Sequence, residues 1–274
     1  MRLGINPFHF IKAGIGETPR THKECIDLVK MAGFCALDVA VDDTATAEEL
    51  ADYIANQSLE VIQTHMPYNR YVAKDYDLFA ASVMKRAKNA KIMGSKILVV
   101  HGDEFDFEHM TYSKEAALEF NYRLFDPLVE FAATNGMRVA FEDLFEDDPT
   151  EPPRFCSEVE DLCRLVDKYD PNLVGICWDS GHAKVHYGDK HIDALKVAGS
   201  RIIATHIHDN YYDKDLHLFP FMGDLDWPAF IQTLRQTGYK GDFTYELVYD
   251  QLPKALAPDY ITLLRKSGEY ILSL

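Results

Sequence analysis

Short apolar runs alternate along this chain with longer stretches in which apolar residues return at helical spacing. The runs Leu3–Phe8, Cys35–Val41, Leu59–Thr64, Lys96–Val100, Arg138–Phe141, Leu173–Trp178, Ile202 into His206, and Phe243–Val248 read as strands. Between them, Thr21–Ala32, Thr46–Asn56, Tyr76–Met93, Ser113–Asn135, Ser157–Tyr169, Asp189–Ala198 and Trp227–Thr237 read as helices, and a last helix runs from about Asp259. Gly94 and Gly136 stop two of them, as glycine does past a helix end. Thr46 is expected to cap its helix with Glu49 completing a capping box, and Asp226 to cap the one at Trp227. Eight strand–helix units with right-handed crossovers close naturally into a single (β/α)8 TIM barrel over residues 1–274. The competing open doubly wound sheet lacks its glycine-rich turn after the first strand.

Polar residues of one chemical kind finish six successive strands. They are His65, His101, Glu142, Asp179 with His182, His206 with His208, and Glu246. A loop after the seventh strand adds Asp215 and His217. A barrel binds its ligands where strand ends converge on the axis, so these side chains are expected to share a divalent metal site. Carboxylates and neutral imidazoles suit zinc, manganese, cobalt or iron better than calcium, and mixed ligands with open positions point to catalysis. Alternation along a strand turns His206 and His208 to the same face, with His208 one step further out.

Composition narrows the partners. With 44 acidic against 28 basic residues and a net charge of -16, the surface disfavours nucleic acid and anionic membranes. Five scattered cysteines without a Cys-x-x-Cys pair read as reduced thiols in a cytoplasmic protein, with Cys35 and Cys177 expected in the core. No signal-like segment opens the sequence and no run reaches transmembrane length.

The motifs THMPY at 64–68, LVVHGD at 98–103, AFED at 140–143, WDSGH at 178–182, HIHDN at 206–210, DLH at 215–217 and YEL at 245–247 follow one another in an order and spacing that resembles the xylose-isomerase-like barrel superfamily. That superfamily holds sugar isomerases, sugar epimerases and endonuclease IV, and the resemblance spans essentially the whole chain. It implies one metal held by Glu142, Asp179, His206 and Glu246, with His206 preferred over His208 because Asp209 fixes the register. The endonuclease IV branch implies further metals on His65, His101, His182, Asp215 and His217.

The first function expected is a divalent-metal-dependent (zinc, manganese or cobalt) isomerase or epimerase of a sugar or sugar phosphate. Glu142 and Glu246 would be its acid–base pair for proton transfer beside a carbonyl, and His182 and His208 its substrate contacts. The alternatives are a multi-metal phosphoester hydrolase and a non-catalytic metal- or sugar-binding barrel. Arg154, Lys184 and Lys214 are the cations available for a phosphorylated substrate. Trp178, Trp227, Phe105 and Tyr68 could wall a sugar, with core packing the default. The loops Glu104–Thr111, Glu146–Phe155 and Tyr211–Asp226 are expected to overhang the site. A small carbohydrate is the expected partner, and self-association stays open.

Overall fold

The structure is a computed structural model that describes residues 1–71, 75–146, 150–151, 153–211, 214–248 and 251–274. Seven strands come first in chain order: β1 Leu3–Ile5, β2 Ala36–Asp38, β3 Glu60–His65, β4 Ile97–His101, β5 Arg138–Glu142, β6 Val174–Asp179 and β7 Ile202–His206. A hairpin follows, β8 Asp209–Tyr211 with β9 Lys214–Leu218, and then β10 Phe243–Tyr245. The helices are α1 His22–Met31, α2 Thr44–Asn56, α3 Tyr76–Ile92, α4 Lys114–Thr134, α5 Val159–Val166, α6 Ser180–Tyr187, α7 His191–Ala198, α8 Trp227–Gln236 and α9 Ala257–Ile271.

Eight strands pair in parallel in the order β10-β1-β2-β3-β4-β5-β6-β7. The ring closes just past β7, where Ile207 bridges to Tyr245 and its N–H donates to the Thr244 carbonyl at 2.8 Å. This is the expected (β/α)8 barrel. The large apolar core lies between strands and helices, around Phe141, Phe125, Trp227, Phe230 and Phe243. The lumen is narrower and partly polar. Val99, Ala140, Cys177, Ile203 and Ala204 fill part of it. Gln63 crosses it, donating to Asp38 at 3.2 Å and accepting from Thr244 at 3.4 Å. This plug is the floor on which the strand-end residues stand.

Local signals place most helix starts. Thr21 caps α1 in a full capping box with Glu24, a feature typically worth about 1 kcal/mol. Asp226 caps α8 as expected. The second helix starts earlier than its sequence suggests: Asp43 is the cap, and its carboxylate accepts from both the N–H and the hydroxyl of Thr46. Aspartate, an acceptor only, outcompetes a threonine that can donate to it. Cys177 is buried in the lumen, but Cys35 is exposed, because the strand begins only at Ala36. Two elements were not foreseen, α6 directly after β6 and the β8–β9 hairpin. Both carry site residues.

Candidate metal centre

The strand ends bring four side chains from four strands or their immediate exits to one point. Glu142, Asp179, His206 and Glu246 each offer a ligand atom within 4.8 Å of all the others. His206 Nδ1 lies 2.8 Å from Glu142 Oε1 and 3.1 Å from Glu246 Oε2. Its other nitrogen, Nε2, lies 3.2 Å from Asp38 Oδ2. Asp38 ends β2, is buried, and was not anticipated. It fixes the imidazole so that Nδ1 faces the two glutamates, the second-sphere arrangement that metal-binding histidines ordinarily have.

A second group, His182, His208, Asp215 and His217, meets the same distance limit, as does a third, His65, Glu142 and His206. Glu142 sits between the groups. Its Oε2 is 3.2 Å from His65 and 3.5 Å from His101. Its Oε1 is 3.6 Å from His182. His182 Nε2 and His217 Nε2 flank one oxygen of Asp215, at 3.6 and 3.1 Å.

The histidine tautomers follow from backbone carbonyls. His65 Nδ1 is 2.7 Å from the Met66 carbonyl, His182 Nδ1 2.9 Å from that of Asp143, and His217 Nδ1 3.0 Å from that of Glu246. A carbonyl only accepts, so each Nδ1 carries the hydrogen, which leaves Nε2 as the nitrogen that can face an ion when the ring is neutral. Three imidazoles prepared this way, beside five buried or nearly buried carboxylates, fit a divalent cation. The charge balance agrees. Asp38, Glu142, Asp179, Asp215 and Glu246 crowd together, and such a cluster is tenable only with compensating positive charge. Without a cation the imidazoles assume that role. Burial opposes protonation of His217, but Asp215 and Glu246 raise its pKa to about 9. Burial opposes it at His182 too, and Asp179, Asp215 and Glu142 still hold that pKa well above the usual value.

The second group depends on structure built after the strands end. Asp179 Oδ1 accepts from the N–H groups of Gly181 and His182 and so starts α6, which swings His182 back over the site. Gly181 has to be glycine, since a Cβ there would collide with the His208 ring. Asp209 folds the following segment back on itself, accepting from the N–H groups of Phe221 at 2.7 Å and Leu225 at 3.2 Å, and from the Trp227 indole at 3.2 Å. Asn210 then holds Asp215, donating to its Oδ1 at 3.0 Å.

These residues surround a cavity of about 250 Å³ lined by His65, Tyr68, His101, Glu142, Phe145, Arg154, His182, Asp215, His217 and Glu246. Tyr68 stacks on His101 with ring centroids 4.5 Å apart. His208 is not in the wall. It is fully buried, 2.9 Å from Asp179 Oδ1 and stacked on His217 at 4.0 Å. Trp178, Trp227 and Phe105 belong to the core. Lys184 is buried and paired with Asp189 and Asp224, whereas Arg154 reaches the wall. Of the three long loops, 146–155 supplies Arg154 and 211–226 supplies Asp215 and His217 to the cavity, whereas no described residue of 104–111 lines it; positions 147–149, 152, 212 and 213 lie outside the described residues.

Phe145 and Asp38 are site residues singled out neither by the motifs nor as cations. Phe145 gave no signal beyond its place three residues after Glu142. Asp38 did: an acid inside the apolar run 35–41 must find a partner once buried.

Comparison with known proteins agrees with the barrel fold. A relative of Sinorhizobium fredii, itself uncharacterized, is 32% identical over 163 residues, which is 59% of this chain and 50% of the relative. The chain therefore spans about half the length of that curated relative. A solved structure of IOLI protein with a bound zinc atom superposes with a TM-score of 0.80 at 19% identity, covering 100% of this chain and 98% of the other. A structure of L-ribulose 3-epimerase does so with a TM-score of 0.77 at 16% identity, covering 99% and 94%. The model of the xylose isomerase-like TIM-barrel family matches residues 26–267, and the chain belongs to that family.

Proposed function

We propose that this barrel is a divalent-metal-dependent isomerase or epimerase acting on a carbohydrate. The carrying observation is that Glu142 and Glu246 both line the cavity and both reach the same nitrogen of His206. Glu142, Asp179, His206 and Glu246 would hold the ion, with zinc, manganese and cobalt all suited to the donors. When bound, such an ion polarises a substrate carbonyl and balances negative charge developing beside it.

The chain's own residues do the rest. One glutamate takes the proton from the carbon next to the carbonyl, and the other returns one, to the neighbouring carbon or to the other face. His182 Nε2 lies in the wall beside them, where it meets a substrate hydroxyl. His208 is enclosed, and we assign it to holding Asp179 and His217 in place. The cavity, about 250 Å³, suits a monosaccharide-sized ketone. The zinc carried by one fold neighbour and the epimerase activity named for another support this reading.

A second reading, multi-metal phosphoester hydrolysis, is favoured by the His182, His208, Asp215 and His217 group, since proton transfer beside a carbonyl needs only one ion. Elemental analysis of the purified protein, with a panel of ketoses and phosphodiesters, separates the two. One tightly held ion with ketose interconversion supports the first. Two or three ions with phosphodiester turnover alone support the second.

A further inference from the structure

Arg154 is the single lysine or arginine in the cavity wall among the described residues. Its hold on the protein is elaborate. Its backbone N–H donates to Glu146 Oε1 at 3.1 Å, and Ser157 donates to the same oxygen at 3.2 Å, fixing the loop. Its Nε donates to Asp103 Oδ2 at 2.8 Å and its Nη1 to the Phe145 carbonyl at 3.4 Å. The guanidinium lies over the Phe145 ring, 5.2 Å from the centroid, and that ring in turn packs on His182 at 5.0 Å. Nη2 has no hydrogen-bond partner among the described residues.

Three tethers thus aim a planar, permanently charged fork into a space otherwise walled by carboxylates and imidazoles. A neutral hydroxyl gains little from such a group that an amide would not supply. An anion gains a charge-assisted, geometrically matched hydrogen bond. It also needs one, because Glu142, Asp215 and Glu246 repel negative charge entering the same cavity. We propose that Arg154 is a specificity-determining residue that takes an anionic group, phosphate or carboxylate, carried by the substrate. The inference rests on reading the cavity as a carbohydrate site, but its test does not depend on turnover.

The test is anion binding to the metal-loaded full chain. Inorganic phosphate and acetate are titrated calorimetrically into wild type, Arg154→Met and Arg154→Gln, with metal per chain and melting temperature measured on each sample. The expected result is a tenfold or greater loss of affinity for one anion in both variants, with metal content unchanged. Tighter phosphate in the wild type assigns a phosphate ester, and tighter acetate a sugar acid. Affinities within twofold of wild type in either folded, fully metallated variant would overturn the proposal and leave Arg154 as the counter-charge of Asp103. Wild type gives an independent reading: the anion should protect Arg154 from arginine-directed phenylglyoxal, and no protection counts equally against the proposal. If the anion effect stands while no ketose turns over, the anion subsite survives and the proton-transfer reading falls.

Discussion

The two main ligand groups are built from similar donors on different foundations. Glu142, Asp179 and His206 are the last residues of barrel strands and are wholly buried, and Glu246 follows directly on the strand that closes the ring. In the second group His208 is buried just past β7, but His182 rides on an eight-residue helix, and Asp215 and His217 on a hairpin strand outside the barrel sheet. A strand end is fixed by neighbours on both sides and by the lumen below. A hairpin outside the barrel is fixed by a few side-chain bonds, here those of Asp209 and Asn210. The first group is therefore the more firmly fixed, and His182, Asp215 and His217 of the second the less so. That division suits an ion-and-proton-transfer centre with a substrate-facing rim.

The sharpest way to break this contrast is to remove a strand-borne ligand. Asp179→Ala should strip the core ion and abolish activity, with little loss of fold because the lumen plug lies beneath. Full metal and full activity in that variant would void the assignment. It should also loosen His182, since Asp179 starts α6.

The next effect sets the groups against each other. Replacing His101 and His217 together should leave the core ion bound and act mainly on substrate affinity, raising KM more than it lowers kcat. Loss of an ion with collapse of phosphodiester cleavage would reverse the ranking and favour hydrolysis.

A smaller effect is expected one layer out. Asp38→Asn should weaken metal affinity by about 10–100-fold, the usual consequence of losing a carboxylate behind a metal-bound histidine. Competition against a chelator measures it, and an affinity within twofold of wild type would remove Asp38 from the site.

The smallest effect is dynamic. Hydrogen exchange around residues 104–111, 146–155 and 211–226 should slow in at least one loop when substrate binds, while β5 to β7 stay equally protected. Unchanged exchange in all three loops would argue against a lid.

The same contrast explains what was legible in the sequence. Strand ends are the legible part, because an apolar run that stops in His, Asp or Glu puts that side chain at the ligand-binding end of a barrel. The strand-end candidates from His65 to Glu246 were named from that rule, and the structure gathers His65, Glu142, Asp179, His206 and Glu246 into candidate ligand groups. The elements beneath the second group could not. The stretch SGHAKVHY has no apolar period of its own, and it is helical because Asp179 caps it and His208 packs against Gly181. The hairpin residues DNY and KDLHL are mostly polar and, among the described residues, pair only with each other, held by the aspartate that folds the segment back. Asp38 was readable as a buried acid but lay on a strand outside the six that end in obvious ligands. Its role emerged only when the barrel closed and set it against His206, 168 positions away.

The proposed step is a proton transfer beside a carbonyl by Glu142 and Glu246 while both hold the ion. It is tested most directly by following deuterium from solvent into a bound ketose, at the carbon next to the carbonyl, in wild type and Glu246→Gln with metal per chain measured in parallel. Exchange is expected in the metal-loaded wild type, with a loss of about 10²–10⁴-fold in the variant, the usual contribution of a general acid or base, and with most of the metal retained. Exchange that is equally fast in Glu246→Gln, or absent from a fully metallated wild type across the ketose panel, would contradict it.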